Sequence, residues 1–126
     1  MKTIMVIDDE ELVTKSIEKL LVKEGYRVIV CRRGEDAIAI VKKADIDLVV
    51  CDIRMPNISG VELIKRIREI RQRSKKPKIP EILITGYAEP SMNTAAEELK
   101  VSDYLYKPFD LTMFLNSVKK SIGETV

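Results

Sequence analysis

Five apolar, β-rich runs alternate with five helical patterns along this chain, and no other feature restricts its fold as strongly. The runs are TIMVID (3–8), YRVIVC (26–31), IDLVVCD (46–52), EILIT (81–85) and DYLY (103–106). Between them, Val13, Ile17, Leu20 and Leu21 recur at helical spacing, as do Ala37, Ile38, Val41 and Ala44. Leu63, Ile64, Ile67 and Ile70 form a third face after Gly60, and Leu111, Phe114, Leu115, Val118 and Ile122 form the last. The fourth helix, opened by Pro90, has only Ala95, Ala96 and Leu99 as its face. Strands that alternate with helices form a parallel sheet covered on both sides, and right-handed crossovers then favour the doubly wound order 2-1-3-4-5. The reading is therefore an α/β chain, (βα)5, with a five-stranded parallel sheet.

At 126 residues the chain is the size of one domain, spanning 1–126, with 45% hydrophobic and 33% charged residues. No apolar run approaches the ~20 residues that span a bilayer, and MKTIMVIDDE reaches Asp8 too early for a signal peptide. A cytoplasmic protein with reduced cysteines is expected. Cys31 and Cys51 close the second and third strands, with the first strand between them. Their Cα atoms then lie near 10 Å apart, beyond the ~7 Å bridging limit. Residues 65–78 take eight of the 22 basic residues and one of the 20 acidic ones, leaving 14 against 19 elsewhere, a net of −5. That run holds no aromatic residue and follows a helical pattern, so it reads as a solvated face and direct nucleic-acid binding is not expected.

In doubly wound folds the ligand site lies beyond the carboxyl ends of the strands, where strand order reverses. Those ends carry Asp8 and Asp9, Asp52, Thr85 and, just after the fifth strand, Lys107. Two carboxylates ~4 Å apart repel by about 4 kcal/mol at an effective dielectric near 20. Either one stays protonated or a cation joins them. A hard divalent cation such as Mg2+ takes such oxygens, whereas a chain without histidine and with cysteines on separate strands offers little for zinc. Asp52 with Mg2+, a hydroxyl and an ammonium suits a phosphoryl group.

VIDDEE (6–11), DIRMP (52–56), ITGYA (84–88) and DYLYKPF (103–109) together resemble the receiver domain of two-component response regulators over essentially the whole length. The resemblance implies that Asp52 is the phosphoacceptor, supplied by a sensor histidine kinase or a phosphotransfer protein. It implies Mg2+ bound directly by Asp9, largely through water by Asp8, and by Asp52 and the backbone carbonyl of Arg54. Thr85 and Lys107 would contact the phosphoryl oxygens, and Tyr104 would be the aromatic switch. Arg54 and Tyr87 would tune the lifetime of the modified form, and Lys107–Pro108 matches a bond that is cis in this family. The face of the fourth helix, fifth strand and fifth helix would signal to an output partner or domain, and a phosphorylation-dependent dimer is compatible with it. Such a domain is not a turnover enzyme on external substrates. The sequence shows no output domain, so a stand-alone receiver and a fragment of a longer regulator both remain open.

Each residue also has a plainer reading. Asp8 and Asp9 could cap the first helix, Thr85 could be a strand residue, Lys107 a surface lysine and Tyr104 a core aromatic. Asp52 resists such a reading, because a strand buried on both faces has no use for a charge. A pseudo-receiver without phosphorylation is the first alternative, opposed by the complete set of site residues. A metal-dependent phosphatase is the second, opposed by the lack of Asp-x-Asp after the first strand. A flavodoxin-like nucleotide binder would share the fold but needs a glycine-rich loop that this chain lacks. Departures from the family pattern are Ser59 before Gly60, Glu81 early in the fourth strand, and Lys100–Val101 where Gly-Ala is usual. A non-glycine residue in the left-handed region costs roughly 1 kcal/mol or more, so a differently built turn is expected there. Glu81 needs solvent or a partner, and RQRSKKPKIP (71–80) is longer and more basic than a tight connection.

Overall fold

The computed structural model describes residues 1–86 and 90–124. Strands β1 (Thr3–Ile7), β2 (Arg27–Cys31), β3 (Leu48–Asp52), β4 (Glu81–Thr85) and β5 (Asp103–Tyr106) form one parallel sheet in the order β2-β1-β3-β4-β5. Helices α1 (Glu11–Lys23), α2 (Gly34–Val41), α3 (Gly60–Arg73), α4 (Pro90–Leu99) and α5 (Leu111–Ser121) connect and follow them. Every residue of β1, β3 and β4 is buried, as expected of strands covered on both faces. The two edge strands are only partly covered.

Alternation along the strands sorts the core into two layers. Met5, Ile7, Val49, Cys51 and Leu83 meet Ala37 and Val41 of α2, Ile64 and Ile67 of α3, and Ala96 and Leu99 of α4. Ile4, Val6, Leu48, Val50, Ile82 and Leu105 meet Ile17 and Leu21 of α1 and Phe114 and Val118 of α5. A Leu or Ile buried in this way contributes roughly 1.5–3 kcal/mol of transfer free energy, so these two layers fix which helix lies on which face.

Both cysteines are free and buried. Each pairs with Ile7, one from either side, so a whole strand separates them. Burial pushes the Cys31 thiol up to about 11 and the fully enclosed Cys51 thiol well above its ordinary value, which leaves both unreactive.

The departures find local answers. Ser59 caps α3, its hydroxyl accepting from the Glu62 N–H at 3.2 Å. Glu81 is only 1% exposed, and α3 reaches it: Arg68 donates through Nε at 2.8 Å and Nη2 at 2.7 Å, a bidentate pair. The expectation about residue 100 is corrected. Lys100 itself takes the left-handed conformation, φ 54°, and its N–H closes the end of α4 on the Glu97 carbonyl. The turn keeps its geometry and Lys100 carries the strain.

Candidate functional site

Register brings the strand ends level. Ile7 pairs with Cys51, Asp52 with Ile84, and Thr85 with Tyr106, so Asp8, Asp52, Thr85 and Lys107 emerge along one edge of the sheet. Thr85 also holds the fifth-strand exit, its carbonyl accepting from the Lys107 N–H at 2.7 Å. The Lys107–Pro108 peptide is cis. Gly60 is needed where the chain turns back over Asp52. A Cβ there would lie 2.3 Å from the Asp52 carbonyl oxygen and 2.8 Å from the Ile53 Cα, so only glycine lets α3 begin so close to the site.

Asp8 and Asp52 are 2% and 4% exposed. The Lys107 ammonium lies 3.0 Å from Asp8 Oδ2, 2.8 Å from Glu10 Oε1 and 3.2 Å from Asp52 Oδ2. Asp52 Oδ1 accepts from the Arg54 N–H at 3.2 Å, and Asp8 Oδ1 from the Glu10 N–H at 2.9 Å. Residue Glu10, without a side-chain cap bond, is the N-cap of α1, so Asp8 and Asp9 are not its caps.

One cation among three carboxylates leaves a negative surplus, and the protonation equilibria follow. Burial, then the Asp8 charge, push Asp52 up to about 6, against the pull of Lys107 and the Arg54 N–H. Burial alone would lower Lys107; its hydrogen bond to Glu10, with the Asp8 and Asp52 charges beside it, outweighs that and holds it well above its ordinary range. Asp52 is therefore a carboxylate at neutral pH, ionised at a cost, beside a lysine that stays charged.

Carboxylate oxygens of Asp8, Glu10 and Asp52 lie within 4.8 Å of one another. Asp8 Oδ2 is buried and makes no well-angled hydrogen bond, its contact with Lys107 being Coulombic. An all-oxygen set with such an atom fits a hard divalent cation. Of the residues read from the sequence, Asp8, Asp52 and Lys107 converge. Asp9 is exposed, is not in this triad, and offers its carbonyl to Arg32 Nη2 at 3.4 Å. Arg54 is exposed next to Asp52, and Thr85 is buried. Tyr104 is half-buried, its ring edge-on to that of Tyr106 at 5.1 Å and 67°. Tyr87 lies outside the described residues. Glu10 is the member that sequence reasoning missed; the signal was a third acid in VIDDEE, two places after Asp8.

The family model for the response regulator receiver domain matches residues 4–119. Transcriptional regulatory protein ZraR of Salmonella typhimurium is 34% identical over 97% of the chain, which spans 26% of that relative's length. The chain thus spans about a quarter of the length of the first curated relatives it matches. Sporulation initiation phosphotransferase F of Bacillus subtilis is 32% identical over 93% of the chain and 90% of its own length. Among solved structures, a CheY-like receiver domain protein from Methanospirillum hungatei superposes with a TM-score of 0.88 at 24% identity, covering 98% of this chain and 94% of the other.

Proposed function

The chain belongs to the response regulator receiver domain family of two-component signalling, and from that premise we propose that it is a phospho-accepting switch with Asp52 as its acceptor. A carboxylate oxygen of Asp52 attacks the phosphorus of a phosphohistidine on a sensor histidine kinase or phosphotransfer protein. The new P–O bond forms as the P–N bond breaks, and the departing imidazole nitrogen takes up a proton. The single observation that carries this reading is Lys107 Nζ at 3.2 Å from a buried Asp52 carboxylate. The ammonium is placed to follow the charge onto a phosphoryl oxygen.

Asp8 and Asp52 would hold Mg2+, with Asp9 and the Arg54 carbonyl as the remaining protein ligands that the resemblance assigns and Glu10 as a competing carboxylate. When bound, the cation neutralises charge shared by acceptor and donor phosphate. Lys107 orients the transferred group, Thr85 donates to it, and Arg54 and Tyr87 set how long it survives. Tyr104 follows Thr85 inward, so that the surface of α4, β5 and α5 changes population and an output partner, an output domain or a second copy reads it. Receiver domains are signalling modules rather than turnover enzymes on external substrates. Among the described residues no helix is long and apolar enough to cross a membrane.

A groove of about 660 Å3 opens beside Lys107, with Leu12, Val13, Ile17, Phe109 and Leu111 in its walls. Leu12 is 82% exposed there, and this apolar surface beside the acceptor suits the phosphodonor's approach. The reading is tested by incubating the chain with acetyl phosphate and Mg2+ and measuring intact mass. One phosphoryl adduct is expected on the wild type and none on Asp52→Asn; full labelling of that variant removes Asp52 from the role.

A further inference from the structure

The opposite, amino-terminal edge of the sheet carries a second cluster of charge that the phosphorylation site does not use. Arg68, Arg71 and Gln72 lie at i, i+3 and i+4 near the end of α3, on one stripe of the helix. Lys75 then adopts the left-handed conformation, φ 55°, and the N–H groups of Lys75 and Lys76 bond back to the Gln72 and Arg71 carbonyls. Arg71 Nε donates to the Pro77 carbonyl at 2.9 Å. These bonds fold residues 74–78 back over the helix end. Arg68, Arg71, Gln72, Lys76 and Lys78 thereby line one concavity of about 290 Å3.

Four cations share this wall, and the acid that faces them is already engaged. Arg68 is committed to Glu81 through two nitrogens, and Lys78 stands 3.7 Å from the same carboxylate. Arg71 Nη1 is buried and makes no hydrogen bond. A guanidinium nitrogen removed from water and left without an acceptor is costly. Complementing the helix dipole accounts for cations at the end of α3. It does not account for their sharing one concavity with a guanidinium that keeps an unsatisfied donor.

We propose that this concavity is a binding site for a phosphate-bearing small molecule, whose oxyanion is held by the charges of Arg71, Lys76 and Lys78 that line it. Arginine and lysine side chains lining one concavity are the residues that recognise such an oxyanion. A small ligand is favoured over nucleic acid because the cations line a single concavity of about 290 Å3 rather than a track, and no aromatic residue among them could stack on a base.

The test titrates the ¹⁵N-labelled chain with pyrophosphate in EDTA at fixed ionic strength. Saturable shifts confined to the amides of residues 68–81 are expected. The exposed pair Lys76→Gln/Lys78→Gln should weaken that binding at least five-fold while leaving acetyl phosphate labelling and the remaining spectrum unchanged. Three results would overturn the proposal: shifts centred on Asp8, Asp52 and Lys107; the same response to added NaCl; or tighter, strongly salt-dependent binding of a short DNA duplex at residues 68–81. The site does not depend on Asp52 accepting a phosphoryl group, so failure of labelling and failure of pyrophosphate binding are separate outcomes.

Discussion

Lys107 Nζ and Asp52 Oδ2 stand 3.2 Å apart although β4 separates the strands that deliver them. The same ammonium serves Asp8 and Glu10, so one positive charge holds three negative ones. That shortage of cation underlies both the chemistry and the energetics of the site.

Asp52 should therefore lower stability when ionised and no divalent cation is present. Its folded-state value near 6 exceeds the ordinary 3.8, so between these values the folded chain holds more protons than the unfolded one. Raising pH through that window then costs stability, on the order of 1–3 kcal/mol. Asp52→Asn should be more stable than wild type at pH 7.5 in EDTA and nearly equal to it at pH 4. Urea melts at the two pH values measure the difference.

Magnesium should supply the missing charge. For a dissociation constant near 1 mM, 10 mM Mg2+ would stabilise the fold by about 1.4 kcal/mol. The gain should shrink several-fold in Asp8→Asn, which loses the buried oxygen that has no well-angled bond. Thermal melts with and without EDTA follow it, and labelling by acetyl phosphate should vanish in EDTA. Undiminished labelling there would count against the acidic cluster as a metal site.

The strand order, the five helices and the positions of Asp8, Asp52, Thr85 and Lys107 at strand ends were legible because hydrophobic period and topology fix them. Side-chain choices among neighbours were not. Asp8, Asp9 and Glu10 are consecutive acids, and only the path into α1 decides that Asp8 is buried while Glu10 swings to Lys107. Glu81 announced a need without naming Arg68, thirteen residues away. Lys100 was misjudged because the cost of a left-handed lysine is small beside the packing of Leu99 and Ala96, which holds the turn in place.

Breaking the Arg68–Glu81 pair should be far worse than deleting it. Arg68→Met leaves a buried carboxylate with only Lys78 at 3.7 Å, and a loss of about 3–5 kcal/mol is expected. Arg68→Met combined with Glu81→Leu should recover most of it, since an apolar pair of similar volume removes the desolvation cost. A double-mutant cycle by urea denaturation tests this, and additive losses would contradict it.

Lys100→Gly should stabilise the chain. Relief of a left-handed side chain is worth roughly 1–2 kcal/mol, and glycine's extra freedom in the unfolded chain returns about 0.5–1 of it. A net gain of about 0.5–1 kcal/mol is expected. Lys100→Ala, which keeps the Cβ and hence the strain, should gain nothing; an equal gain would assign the effect to charge.

Glu10→Gln separates the two roles open to that residue. Glu10 is exposed and draws Lys107 away from Asp52, so removing its charge should free the ammonium and reduce repulsion of an anionic phosphodonor. Labelling by acetyl phosphate at saturating Mg2+ should then quicken by up to about 5-fold, the range that one exposed charge contributes. Asp9→Asn should slow it by more than that, because the resemblance places Asp9 on the cation. A slower Glu10→Gln variant that is rescued by higher Mg2+ would instead make Glu10 a metal ligand, consistent with its place beside Asp8 and Asp52. Labelling rates across a Mg2+ series therefore decide between a carboxylate that restrains Lys107 and one that holds the cation.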